Sequence, residues 1–204
     1  MVSDFRLADT EDLAGPMRSF PSNRCRKRQR TSTGLRGCLG ALAGMAVSVI
    51  MVMSGSAPAL AHDLVGFGDA TPGTIVVRTS ERRLYYVVGP GRAIRYPVGV
   101  GKAGRQWAGR TYIDGKYLHP AWSPPSAVKH DKPYLPDFIP GGAPSNPMGV
   151  AAMTLNGGEY AIHGTNKPSS VGHFVSYGCI RMYNQDIVDL YGRVGVGTPV
   201  VVMQ

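Results

Sequence analysis

Beyond residue 70 the apolar positions alternate with polar ones over short runs, and each run stops at glycine or proline, the pattern of strands joined by tight turns. Thr74-Ile-Val-Val-Arg-Thr79 predicts one strand. Leu84-Tyr-Tyr-Val-Val88 and Ala93-Ile-Arg-Tyr-Pro-Val-Gly-Val100 flank Gly-Pro-Gly-Arg, which predicts a hairpin turned at Gly89 to Gly91. Arg110 to Tyr117 predicts another short strand pair folded about Asp114-Gly115, a dipeptide suited to a type I′ turn. Met148 to Leu155 and Tyr160-Ala-Ile-His163 predict further strands, the second ending on a histidine, and Thr198-Pro-Val-Val-Val-Met203 predicts the last.

The apolar period changes once. After Cys179, the residues Ile187, Leu190, Tyr191 and Val194 share one face of a 3.6-residue repeat, which predicts a helix capped by Asn184. Between His119 and Gly149 neither period holds, and the stretch contains eight prolines. A loop of that length inside a domain is usually functional or disordered. Trp122, Tyr134 and Phe138 favour a packed lid or substrate wall, because disordered tracts are poor in aromatics. The fold class that results is a mainly β domain with one clear α-helix after Cys179, without internal repeat.

An appendage precedes this domain. The cationic run RCRKRQR (24–30) is followed by the uncharged stretch from Leu39 to Met53 and then by small residues ending in Ala59-Leu60-Ala61. That is the order of a secretory signal with its cleavage site. Residues 1–61 therefore read as a signal peptide or N-terminal anchor with a long basic n-region, 62–72 as a short linker and 73–204 as the working domain. Rising about 1.5 Å per residue, the apolar stretch falls short of a hydrocarbon core of roughly 30 Å, which favours cleavage after Ala61 over a permanent span. The leader is long even if translation starts at Met17, so an uncleaved anchor remains the alternative. The basic run lacks a consecutive Arg-Arg pair, which argues against twin-arginine export.

About half of the formal net charge of +9 lies in that leader. What remains is scattered, with no Lys/Arg run interleaved with aromatics, which argues against a nucleic-acid partner and suits an anionic cell-surface polymer. Cys25 and Cys38 also belong to the leader, leaving Cys179 alone in the exported part. A lone thiol in an oxidising compartment is either buried and inert or used for its reactivity.

The segment HGTNKPSSVGHFVSYGCIRM, from His163 to Met182, carries the candidate chemistry. A thiol of pKa about 8.5 is mostly protonated at neutral pH, so a nucleophilic cysteine needs a base or positive surroundings. His163, held at a strand end, is the candidate base, and the residues from Lys167 to Gly172 are enough to fold back to Cys179. Spacing alone also allows the plainer reading of a core histidine and a small apolar filler. Gly178 removes bulk beside the sulfur and lets the amides of Gly178 and Cys179 face one point, as an oxyanion site requires. Arg181 either favours thiolate, binds a substrate carboxylate or is structural. His173 reads as a solvated loop residue, and His62, His119 and His130 lack the spacing of a zinc site.

His163-Gly164-Thr165-Asn166 followed by Ser176-Tyr177-Gly178-Cys179-Ile180-Arg181-Met182 resembles the signature of the L,D-transpeptidase family with the YkuD-type catalytic domain. Asn146-Pro147-Met148-Gly149 and Trp122 to Pro125 resemble it too, and the resemblance covers about residues 73 to 203. It implies a β-sandwich-like fold, a bacterial cell-envelope enzyme and no metal or organic cofactor. It further implies that Cys179 is the nucleophile and His163 the general base, oriented by a backbone carbonyl; no acidic residue lies between Glu159 and Asp186 to do so. Arg181, Tyr177, Ser176, Gly164, Thr165, Asn146 and Trp122 would line the substrate site. The implied reaction cleaves a peptidoglycan tetrapeptide stem before its terminal D-alanine and passes the acyl group to another stem, forming a 3→3 cross-link.

Tyr177 departs from the family pattern, which often has histidine there. Lining the pocket or donating one hydrogen bond suits tyrosine, whereas at pKa about 10 it does not shuttle protons readily. The partners implied are peptidoglycan stems, in the periplasm or cell envelope, with the membrane involved only if the leader is uncleaved. Two alternatives stay open: the acyl group passes to water or to the amine of a lipoprotein or outer-membrane protein, or the domain binds peptidoglycan without catalysis.

Overall fold

The computed structural model describes residues 62–68, 70–158 and 160–204, so the predicted leader lies outside the described residues. In chain order the strands are β1 (Asp63–Gly66), β2 (Ile75–Arg78), β3 (Arg83–Gly89), β4 (Arg92–Pro97), β5 (Val100–Gly101), β6 (Gly109–Leu118), β7 (Ala151–Leu155), β8 (Ala161–His163), β9 (Phe174–Ser176), β10 (Ile180–Arg181) and β11 (Pro199–Met203). Two helices interrupt them, α1 (Ser126–Asp131) and α2 (Asn184–Arg193). Nine strands form one mixed sheet in the order β1-β4-β3-β2-β11-β6-β7-β8-β10, and β5 pairs separately with β9.

The long strand β6 serves both halves of that sheet. Its first residues pair with β11 and its last with β7. The predicted strand pair about Asp114-Gly115 is therefore a single continuous strand, and the dipeptide makes a register shift between Ile113 and Gly115 instead of a turn. The reason is local packing: Asp114 accepts a hydrogen bond from Thr154 of the neighbouring strand, and a Cβ on Gly115 would lie 2.7 Å from Thr154 Oγ1 and from the Tyr117 ring. Such bulges bend a strand, which lets one strand turn the sheet back on itself.

The main core lies between the two halves and α2. Ile75, Val77, Leu84, Tyr96 and Val200 from the first half meet Met153, Leu155, Ile162 and Ile180 from the second, and Ile187 and Leu190 of the helix close the layer. Every residue of β7 is buried, so this strand has apolar contacts on both faces.

Three local expectations need correction. Asn184 is the first residue of α2, with Tyr183 at the cap position, and its side-chain oxygen accepts the Thr165 amide at 3.0 Å. The helix also buries Asp186, which the apolar pattern does not mark; burial raises its pKa, and the His62 ring lies 3.6 Å away. In the proline-rich stretch, which was expected to lack regular structure, residues Ser126–Asp131 form a short helix, Trp122 packs inward, and the Tyr134 and Phe138 rings point outward at 79% and 54% exposure.

Leu190, fully buried in the core, tests whether α2 closes that layer. Leu190→Ala should cost about 2–5 kcal/mol in urea unfolding, while Val188→Ala on the exposed face should change stability by less than about 0.5 kcal/mol. Equal effects at the two positions would mean that the helix is not a core element.

Candidate active site

The register of three strands gathers the candidate residues. In β10, which runs parallel to β8, Ile180 lies beside Ile162 and Arg181 beside His163. Side chains alternate between faces along a strand, so Cys179, Arg181 and His163 share one face while Ile162 and Ile180 enter the core behind it. On the opposite edge of β10, Arg181 exchanges both main-chain hydrogen bonds with Gly99 at 2.8 Å. This face is thus built on a strand held from both sides, and Cys179 packs there against Met148, Ala152 and Ala161, as Trp122 does.

His163 is 3% exposed, and its Nδ1 lies 2.6 Å from the carbonyl oxygen of Gly164. A carbonyl only accepts, so Nδ1 carries the proton and Nε2 is left free to take one. Burial, helped by the positive charge of Arg181, pushes the His163 pKa down to about 4. Burial raises the Cys179 thiol, against the opposing pull of the Ala161 amide and Arg181. The resting pair at neutral pH is therefore a protonated thiol and a neutral imidazole. Arg181 is itself largely enclosed, its pKa lowered by burial, and its Nε makes no hydrogen bond among the described residues.

The turn before Cys179 is fixed by Ser176, whose hydroxyl donates to the Cys179 carbonyl at 2.6 Å and accepts the Gly178 amide at 3.1 Å. The Gly178 amide expected at an oxyanion is thus engaged inside the turn. Gly178 sits at φ 125, where side chains are rare, and a Cβ there would lie 2.2 Å from Tyr160. Its carbonyl accepts the Trp107 indole N–H at 2.9 Å, and Trp107 stacks on Tyr160 at 4.9 Å between centroids. Sequence reasoning missed Trp107 and Tyr160, because nothing local marks a residue 71 positions away as the support of a turn.

Several residues expected to touch substrate act as braces. Asn146 is 2% exposed; its amide nitrogen donates to the Pro120 and Pro140 carbonyls and its oxygen accepts the Met148 amide. Gly164 and Thr165 are buried beneath Asn184: a Cβ on Gly164 would lie 2.3 Å from Asn184 Oδ1. Ser176 is 1% exposed. Tyr177 donates its hydroxyl to Asp131 Oδ2 of α1 at 2.6 Å, a partner that the sequence did not suggest. Arg181 remains beside Cys179, and Trp122 packs against the same buried cluster as the thiol. His119, His130 and His173 are exposed, and among the described residues no group of three His, Cys, Asp or Glu side chains is arranged to hold a metal ion.

The profile of the L,D-transpeptidase catalytic domain, YkuD, matches residues 72–202. The chain is 37% identical over 179 residues to the Escherichia coli (strain K12) protein named Probable L,D-transpeptidase ErfK/SrfK, covering 83% of this chain and 56% of that one. It is 36% identical over 206 residues to the protein of the same name from Salmonella typhimurium (strain LT2), covering 97% and 62%. It thus spans roughly six-tenths of the length of these relatives. A solved L,D-transpeptidase from Mycobacterium smegmatis shares the fold, with a TM-score of 0.51 at 19% identity over 64% of this chain and 58% of that one.

The low pKa of His163 makes a stability prediction with a definite sign. The unfolded imidazole binds a proton near pH 6.5, whereas the folded one resists until about pH 4. Stability should therefore rise with pH between these values, and the contribution lost at the acid end is roughly 3 kcal/mol. Urea unfolding of the parent and of His163→Gln from pH 4 to 7 should show that the variant lacks this rise; identical slopes would contradict the burial argument.

Proposed function

Because the chain belongs to the L,D-transpeptidase family of peptidoglycan enzymes, with the YkuD-type catalytic domain, we propose that it is an exported cysteine acyltransferase that forms 3→3 cross-links between peptide stems. The observation that carries this reading is the shared face of Cys179, His163 and Arg181, with the His163 Nδ1 proton held by the Gly164 carbonyl. The donor stem presents the carbonyl before its terminal D-alanine to the Cys179 sulfur. As the sulfur attacks, its proton passes to His163 Nε2, and the imidazolium then protonates the departing amine of D-alanine. The thioester that remains is attacked by the amine of a second stem, whose proton returns through His163 to the sulfur.

Geometry supports the division of roles. A neutral imidazole at physiological pH is ready to accept a proton, which suits a thiol that burial keeps protonated. With the Gly178 amide engaged by Ser176, the Cys179 amide is the main-chain donor left for the developing oxyanion, and Arg181 is the cation for a stem carboxylate. Cleavage after Ala61 would release the domain outside the cytoplasm, where its polymer lies.

Mass spectrometry of the purified chain with a tetrapeptide stem tests the proposal. Cys179-dependent loss of D-alanine is expected, with cross-linked dimer as the main product; Cys179→Ala should abolish both. Loss of D-alanine with only free tripeptide would identify a carboxypeptidase, and no loss from a confirmed thiol would favour a binding module.

The rate of acylation should rise with pH through about 4 as His163 loses its proton, then level off. A limb near pH 6.5 instead would mean that the imidazole is more open to water than this structure has it.

A further inference from the structure

The proline-rich segment is held differently at its base and at its tip. At the base, Trp122 and Ile139 exchange main-chain hydrogen bonds of 2.9 and 2.8 Å, and buried Asn146 ties down the Pro120 and Pro140 carbonyls. Trp122 packs against the buried cluster of Met148, Ala152 and Ala161, and Cys179 packs against the same cluster, so the base of the segment and the thiol share one support. At the tip, α1 buries no residue. Its side-chain ties to the body of the chain meet on one carboxylate: Asp131 Oδ2 accepts Tyr177 OH at 2.6 Å and Lys102 Nζ at 3.3 Å. Lys102 Nζ also lies 4.0 Å from the centre of the Tyr177 ring, which closes a triangle of three side chains. These contacts hold the Asp131 carboxyl well below the usual carboxylate range, with the Tyr177 hydrogen bond the largest cause, so the triangle is intact at neutral pH.

We propose that Tyr177 and Asp131 form a latch that holds the tip of this segment closed two residues from the nucleophile, and that the latch sets which acceptor receives the acyl group. Tyr177 is a positioning residue in this scheme. The inference rests on the acyl-transfer reading above.

The physical argument concerns who can open the latch. Exposed polar contacts of this kind are individually weak. A peptide stem brings contact energy of its own and can displace them, whereas a water molecule brings almost none. In both branches the bond between carbonyl carbon and sulfur breaks and the sulfur regains a proton: attack by the stem amine leaves an amide, and attack by water leaves a carboxylic acid. A latched segment limits the second branch, and a freed one allows water in before a stem arrives.

The test compares the parent with Asp131→Ala, Tyr177→Phe and the double variant, using a tetrapeptide stem and measuring released D-alanine, dimer and free tripeptide. Asp131→Ala should leave D-alanine release within about twofold and raise the ratio of tripeptide to dimer about fivefold, as expected for losing a weak exposed contact. Tyr177→Phe should raise the ratio as well, and the double variant should go no further than Asp131→Ala alone. Hydrogen exchange of the α1 amides without substrate should quicken in all three variants. An unchanged ratio, additive effects in the double variant, or unchanged exchange would overturn the latch. If the parent releases no D-alanine, the acyl-transfer reading fails and with it the role in acceptor choice, and exchange alone then decides whether the latch exists.

Discussion

A buried imidazole whose Nδ1 proton is held by its neighbour's carbonyl is the constraint from which the rest of the site follows. Gly164 places that carbonyl by bending close to His163, and only a glycine fits there, because Asn184 lies against the same backbone. Asn184 in turn is fixed by α2, whose Ile187 and Leu190 are anchored in the core. The tautomer of one histidine is thus set by helix packing two layers away. Among the described residues the Nδ1 partner is a carbonyl and not a carboxylate; a nearby negative charge would raise the imidazole's pKa, while burial lowers it.

Cys179 is braced from the other side. Ser176 closes the turn before Cys179, and the stacked Trp107 and Tyr160 rings support Gly178 from behind. His163 and Cys179 therefore both sit at the ends of short elements braced by buried neighbours. The tip of the proline-rich segment differs in that its side-chain ties to the body of the chain are polar and exposed.

Tyr177 departs from the family pattern, and of the two uses that suit a tyrosine there, lining a pocket or donating one hydrogen bond, the structure shows the hydrogen bond. Its acceptor is Asp131, 46 positions earlier, and the ring lies under Lys102. Neither partner lies near it in sequence, and the intervening stretch has no periodic pattern from which their meeting follows.

Periodicity located β2, the hairpin of β3 and β4 turned at Gly89 to Gly91, β7, β8, the last strand and the apolar face of α2, because alternation and the 3.6-residue repeat are properties of consecutive residues. His163 and Cys179 could be singled out as candidates from residue chemistry alone, and the strand register brings their segments side by side. Tertiary structure decided what depends on residues distant in the chain. The Asp114-Gly115 dipeptide became a bulge because Thr154 approaches it, Asn184 left its capping role to hold Thr165, and Asn146, Thr165 and Ser176 turned from expected substrate contacts into internal braces. Each of these outcomes is the satisfaction of a polar group in the interior, which is determined by which distant partner arrives there and not by the residues on either side.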